Sequence, residues 1–576
     1  MGRIAILTNP DPIVDAKANF FADYFHLFLS QLGRSIDFEL ENPLALIDKI
    51  LFQLQHNLDN CESIARSYLT HPMLFDNDVF LSQFDCYKPA KRHFEEWIRL
   101  SPKEQKKHFS ENTASWIQVL QPLREELSQK MFGKSLQSII SFLGCPHELC
   151  EHKEDIEGNT RILLTEFIFR GLGKEYISDV FNQILSRDIE IYPFPQEVTT
   201  EQDKKDYMAS RTLQQQFLAI EAILNMPSSK VDFYYKIYGA SLPKEIAFDY
   251  TGVVFYSSRH ENCSPLKKEH PEFFKGDSNF FIASVNVDFL YSEGAIKDAI
   301  KQIAAALKYV SVALNRNFVI DRKHNYILRN AFGTSEGWGF DSFKYKYEPK
   351  VIDKLDKSPF HFLAGVTNSA KNYFLNFEPL YINASSEENM PAYWHYLEAL
   401  MQSYKKEKKL MEKVASICIL RDAAVRKEVG IEFLSSSLNF MHLPRTRFGI
   451  TAQEGHAMAM EIIRGIIPES VRAIDYPAIK DMVFYMDYAL TAEDFRKAKD
   501  YYMRILQDAY AQRNFYLHQG SSSNKSHIKL LYSLRFLVHR FRFIVMGELK
   551  NNEEVDFSKL VENLYLRSME LLKLAS

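Results

Sequence analysis

Cysteine is scarce in this chain, and its scarcity rules out a disulfide scaffold. Six cysteines, Cys61, Cys86, Cys145, Cys150, Cys263 and Cys418, are spread over 576 residues, too thinly for a cross-linked framework, so reduced thiols are expected. Long apolar runs are also missing. No stretch approaches the roughly 20 uncharged apolar residues that span a bilayer, and the amino terminus lacks a basic segment followed by an apolar core and a cleavage site. The expected location is therefore cytoplasmic, with no membrane partner. An excess of positive charge is absent too: the formal net charge is -4 and the pI about 6.5, which argues against a surface that coats nucleic acid without specificity and leaves room only for a local basic groove. Core material is ample, since 46% of residues are hydrophobic and 25% charged, ordinary values for a folded protein. The length exceeds what one hydrophobic core organises and predicts about two to four domains.

The pattern along the chain predicts a mixed fold. Arg3 to Thr8 reads as a short strand stopped by Asn9-Pro10-Asp11-Pro12, and Ala16 to Leu32 as a helix. Apolar residues then recur at three- and four-residue spacings, as in Leu44 to Leu58 and Leu213 to Leu224, so residues 1–229 are expected to be mainly helical. Over 230–350 the texture changes: β-rich runs at Gly252 to Ser257 and Phe280 to Phe289, a helix from Gly294 to Leu314, and short runs at Phe318 to Asp321 and Asn325 to Arg329 predict an α/β module. Residues 351–390 read as a linker, with Pro359, Pro379 and the polar Ser385 to Asn389, and Pro391 is placed to open a helix. From 391 to 576 helical periodicity predominates between Pro444, Gly449, Pro468, Pro477 and Gly520, predicting an all-α bundle.

One helix in that bundle carries a chemical signal. Thr491 to Leu517 is amphipathic, with Thr491 placed to cap it, Asp494 in its first turn, and apolar residues at Phe495, Ala498, Tyr502, Ile505, Ala509 and Tyr516. Arg513 falls on that apolar stripe, where a purely structural helix would place a hydrophobic side chain. Asn514 and His518, four residues apart, share a neighbouring face. A guanidinium offers a permanent charge and a planar donor fork for phosphate, and an imidazole moves protons near neutral pH.

The segment Arg513-Asn514-Phe515-Tyr516-Leu517-His518 resembles the R-N-x-x-x-H motif of HEPN domains, helical bundles found in bacterial defence ribonucleases, toxins and CRISPR-associated effectors. The following helix, from about Lys525 to Leu549, and the earlier Trp394 to Leu400 extend the likeness toward the Apea-like HEPN subgroup, over about Ala392 to Ser576. What the resemblance implies is a HEPN helical bundle acting as a metal-independent endoribonuclease, in which Arg513, Asn514 and His518 are catalytic and Glu398 orients the motif arginine. It also implies a composite site in a homodimer. No metal or cofactor is expected. By analogy of arrangement, the chain is expected to be a regulated antiviral, abortive-infection or toxin effector, controlled by an unknown trigger acting through its first 390 residues. Two rival readings stand beside this: a non-catalytic HEPN module for dimerisation or partner binding, and an independent enzyme in the α/β region.

Other signals are weaker. Arg66 to His71 repeats the R-x4-H spacing, but it lacks the adjoining Asn and runs into Pro72. Arg540 and Arg542 in His539-Arg540-Phe541-Arg542 mix cations with an aromatic ring as RNA-binding surfaces do, and are the expected RNA contacts; Lys405 to Lys409 is a second basic cluster. Cys145 to His152 holds two thiols and two imidazoles, ligand types zinc favours, in a span too compressed for an ordinary zinc site. Gly333-Thr334-Ser335-Glu336-Gly337 fits the nucleophile-elbow pattern without the helix that should follow.

Overall fold

The computed structural model describes residues 11–34, 40–56, 68–75, 78–169, 172–185, 194–224, 229–243, 247–250, 252–275, 279–289, 292–314, 318–321, 325–330, 333–338, 377–385, 390–401, 407–439, 448–519, 527–551 and 557–573. The expected strand at Arg3 to Thr8, Arg66 of the second R-x4-H, and Lys405 and Lys406 lie outside them. The fold is mostly helical with one antiparallel sheet in the middle of the chain, in keeping with a mixed layout. The chain divides into two compact units: one comprises Met1–Lys174, Phe181–Glu221 and Ser358–Ser576, the other Glu175–Val180 and Ala222–Lys357.

In the first unit, α1 (Pro12–Gln31) starts where Asp11 accepts the Ile13 backbone N–H at 2.9 Å, with Pro12 in the first turn where no intrahelical partner is lost. Its Phe20, Phe21, Phe25 and Phe28 are fully buried. The turn after it carries Gly33 at φ +77°, and a Cβ there would lie 2.9 Å from the Ser533 backbone; only glycine permits both the conformation and the approach. Next come α2 (Pro43–His56), α3 (Tyr87–Ile98), α4 (Thr113–Gly144) and α5 (Leu149–Phe169). Trp97, Trp116, Leu120, Leu123 and Ile47 close a core among the early helices, and the Trp97 indole N–H donates to the Gln105 carbonyl at 3.0 Å.

Among the described residues the second unit is built on seven strands: β1 (Ser229–Tyr238), β2 (Ala247–Tyr250), β3 (Val253–Ser257), β4 (Phe280–Phe289), β5 (Val319–Ile320), β6 (Asn325–Asn330) and β7 (Gly333–Trp338). Their order is β2-β3-β4-β1-β6-β7, with β5 also on β1. Pairs such as Phe233↔Val285 and Tyr235↔Ala283 put alternate residues inward, where they meet Ala299, Ile303 and Ala306 of α6 (Ser292–Leu314). The strand and helix positions agree with the expected runs, but the expected α/β module has antiparallel pairing throughout. The reason is topological. β4 and β6 each run antiparallel to β1, on opposite sides of it, so they are parallel to one another and α6 is a crossover with β1 inserted between its two strands.

The carboxy-terminal part of the first unit contains α7 (Met390–Leu400), α8 (Glu407–Cys418), α9 (Asp422–Leu438), α10 (Ala452–Ile463), α11 (Pro477–Asp487), α12 (Ala492–Gln519), α13 (His527–Asn551) and α14 (Phe557–Leu571). Trp394, Leu397, Ile417, Leu506, Ala509, Leu534, Phe541 and Leu564 form its core. The expected linker 351–390 is not all connecting chain: residues 377–385 are helical, with Ala384 fully buried in this core and Phe377, Leu380 and Tyr381 packed on it. Pro379, read as a breaker, lies within these helical residues. A second difference concerns the boundary near 390. The amino-terminal helices and this bundle belong to one compact unit.

Candidate active site

α12 builds the site. Thr491 caps it as expected: the Asp494 N–H donates to the Thr491 hydroxyl oxygen at 3.3 Å, and the Thr491 N–H returns a bond to the Asp494 carboxylate at 2.8 Å. Such a reciprocal box secures one end of the helix. Phe495, Ala498, Tyr502, Ile505 and Ala509 are buried along one face, which fixes the rotation of the helix about its axis. Arg513 comes next on that face, half-buried.

The fold gives Arg513 two partners. Its Nη2 donates to Glu398 Oε2 of α7 at 3.3 Å, and its Nη1 to the Asn514 side-chain oxygen at 3.0 Å. Both members of the Arg513–Glu398 pair keep 29% of their side-chain surface exposed, so the guanidinium is oriented without being sealed from solvent. Trp394, four residues before Glu398, packs its ring 5.4 Å from that of Tyr510 and ties α7 to α12 one turn before the motif. Arg513, Asn514 and Glu398 are thus brought together by two helices. His518 lies on the last turn of α12, one helical turn past Asn514; its side chain and Gly520 fall outside the described residues.

The two arginines expected to bind RNA are placed otherwise. Arg540 is 6% exposed; its guanidinium donates to Asp422 and to the Tyr502 hydroxyl, and at 2.6 Å to the Arg34 carbonyl. Burial alone would lower its pKa, but Tyr502 and Asp422 outweigh it and hold the proton more firmly. This arginine is an internal tie, not an RNA contact. Arg542 commits its fork to both oxygens of Glu378 and stacks 4.5 Å from the Tyr381 ring centre, so it too is occupied within the protein. Both lie on α13, where Val538 and Phe541 are buried while Phe543 is exposed, and the local sequence shows only the alternation of cation and ring.

Sequence reasoning also passed over a set of buried charges beside the site helix. Asp508, five residues before Arg513, accepts a hydrogen bond from the Tyr68 hydroxyl and pairs with Lys49 at 3.1 Å. An aspartate one row from the apolar stripe of α12 is the only local hint of them.

The remaining signals resolve differently. His147 pairs with Glu151 and His152 with Asp155, each at 3.4 Å, and the Cys145 carbonyl receives the Lys17 ammonium. Among the described residues no group of three or more His, Cys, Asp or Glu side chains is arranged to hold a metal. Gly333 to Gly337 is strand β7, not an elbow. Thr334 and Glu336 face His270, with Nε2 2.8 Å from the threonine oxygen and Nδ1 3.2 Å from the glutamate. The Thr334 hydroxyl also donates to Glu269 at 2.5 Å, so the imidazole meets the residues on either side of Ser335, and on a strand Ser335 itself faces the other way. Among the described residues no helix is long and apolar enough to cross a membrane.

Comparison with known proteins adds no relative: no family model matches the chain, and no curated protein or solved structure matches it either.

Proposed function

We propose that the chain is a metal-independent endoribonuclease of HEPN type, with Arg513, Asn514 and His518 as catalytic residues and Glu398 as the orienting carboxylate. The observation that carries the reading is the oriented guanidinium: an arginine on an otherwise apolar stripe, held by Glu398 and Asn514, one turn from a histidine. In this scheme the RNA 2'-hydroxyl attacks the adjacent phosphorus. His518 takes its proton, Arg513 neutralises the charge that builds on the equatorial oxygens, and the 5'-oxygen leaves with a proton as the P–O5' bond breaks. The products are a cyclic 2',3'-phosphate and a 5'-hydroxyl. DNA lacks the nucleophile and is inert.

One histidine per chain must serve as both base and acid, and a homodimer that pairs two motifs in one cleft divides the roles; light scattering of the active species then reads a dimer. The biological setting that fits is a regulated antiviral, abortive-infection or toxin effector in the cytoplasm. The rival reading, a non-catalytic module for dimerisation or partner binding, draws support from the same ion pair, because Glu398 also suits Arg513 to a structural role.

The deciding assay is cleavage of total RNA in excess EDTA with end-group analysis. Cyclic phosphate ends are expected, and His518→Ala should slow their formation by roughly 10²- to 10⁴-fold, the usual worth of a positioned acid/base group. Strict metal dependence, or undiminished cutting by the variant, overturns the mechanism.

A further inference from the structure

α12 carries Asn514 and His518 on its last turns and α13 follows it, and both are gripped by the amino-terminal helices through buried charge. Lys49 of α2 sits between two carboxylates, Glu41 just before its own helix and Asp508 of α12, each at 3.1 Å. Lys529, in the first turn of α13, pairs with Glu41 at 2.5 Å. The Tyr68 hydroxyl donates to Asp508, and the Lys49 ammonium lies 5.0 Å from the Tyr68 ring centre. Side-chain exposure is 7% for Glu41, 11% for Asp508, 13% for Lys529 and 23% for Lys49. Burial would push Glu41 up and Lys49 down. The opposite charges outweigh it in both cases, holding Glu41 well below the usual carboxylate range and raising Lys49.

Glu41 and Lys49 belong to the amino-terminal side, Asp508 and Lys529 to the bundle; the Lys49–Asp508 and Lys529–Glu41 pairs cross between the two sides and Lys49–Glu41 stays within one, while Arg504 of α12 lines the same cavity. A buried ion pair adds little net stability compared with apolar packing, but it is directional, and it fixes which groups face each other. An interface of this character can also shift locally, because a charge that moves toward the surface regains water while exposed apolar surface does not. Other contacts between the same two regions share the character: Tyr24 and Lys153 both donate to Asp481 at 2.6 Å, and Tyr476 to Asp23 at 2.7 Å.

We propose that Glu41, Lys49, Tyr68, Asp508 and Lys529 form a positioning joint, through which the amino-terminal helices set the placement of the helix end bearing Arg513, Asn514 and His518. The proposal rests on the reading of those three residues as the site. Asp508 precedes Arg513 by about 7.5 Å of helix axis, at 1.5 Å per residue, and Arg513 is anchored beyond it by Glu398. Moving α2 away from α12 therefore releases the helix on the near side of the motif, while Lys529 releases the far side. Regulation of the site then takes the form of a shift of the amino-terminal helices against α12 at this joint, within the one compact unit, not their release from it.

The test uses full-length protein carrying Tyr68→Phe, Lys49→Met or Lys49→Arg, and reads hydrogen exchange by peptide together with RNA cleavage. Tyr68→Phe deletes one hydroxyl and keeps the ring, so it stays folded even if Lys49→Met does not. Tyr68→Phe is expected to speed amide exchange in residues 509–519 about tenfold, the worth of one hydrogen bond to a charged acceptor. Exchange in α8 and α14 should be unchanged. Cleavage should fall in kcat with KM unchanged, and Lys49→Arg should retain most of the protection that Lys49→Met loses. Uniformly faster exchange across the bundle, no change at 509–519, or equal damage from Lys49→Arg and Lys49→Met overturns the joint. The two readings fail separately: a wild-type protein that cuts no RNA sinks the nuclease assignment while exchange still judges the joint, and normal cleavage with unmoved exchange does the reverse.

Discussion

Two arginines on neighbouring helices should respond to substitution in opposite ways. Arg540 is buried against Asp422, Tyr502 and the Arg34 carbonyl. Arg540→Met keeps much of the side chain's volume but strands a carboxylate that is only 12% exposed. Removing one partner of such a pair costs about 3–5 kcal/mol, because the other charge stays in a poorly solvated place. Arg513 differs, since its pair with Glu398 is 29% exposed on both sides. An ion pair of that kind contributes roughly 0.2–1 kcal/mol, so Arg513→Ala should barely move the urea midpoint. Its effect on cleavage should be large, roughly 10²- to 10³-fold, as for other groups that stabilise charge in a transition state. Urea unfolding followed by tyrosine and tryptophan fluorescence, set beside an RNA-cleavage time course, measures both. Adding Asp422→Asn to Arg540→Met removes the stranded charge and should recover part of the lost stability. A stable Arg540→Met protein with weakened RNA binding would refute the placement of Arg540 as an internal tie. An Arg513→Ala protein as destabilised as Arg540→Met would show that Arg513 is structural.

Acidification should weaken the fold through His71, whose Nδ1 accepts the Met73 backbone N–H at 3.2 Å and whose pKa is lowered to about 4, chiefly by burial, with Arg504, Lys529 and Lys49 adding to the effect against Glu41. The unfolded chain binds that proton near pH 6.5 and the folded chain does not. Stability is therefore complete above pH 6.5 and falls as pH drops to about 4, by at most about 3 kcal/mol at 1.36 kcal/mol per unit; His71→Gln should flatten this part of a stability curve measured by urea unfolding, and an unchanged slope would exclude His71 as its source. Removing residues 1–389 should not release a sound bundle, because Asp508, Lys529 and Arg540 lose buried partners; circular dichroism of the fragment should show a loss of cooperative unfolding, and a cooperative, monodisperse fragment would refute this.

What the sequence determined by itself is whatever depends on neighbours along the chain. Helical periodicity located α12, and the side chain and backbone of Thr491 meet Asp494 only three residues away, so the cap was legible. The runs that became β4 and α6 were legible for the same reason, as was the oddity of Arg513 on an apolar stripe. Only the tertiary structure decided the rest. That β1 inserts between β4 and β6, turning an apparent α/β unit into an antiparallel sheet, depends on a strand that comes earlier in the chain. That Arg540 faces inward depends on Asp422 and the Arg34 carbonyl, and that the boundary near residue 390 does not separate independent parts depends on Glu41, Lys49 and Tyr68 meeting Asp508 and Lys529. A lysine or arginine in an amphipathic helix looks the same on paper whether it reaches into solvent or across to a carboxylate hundreds of residues away, because the charge that decides its burial is supplied by the packing and not by its neighbours in sequence.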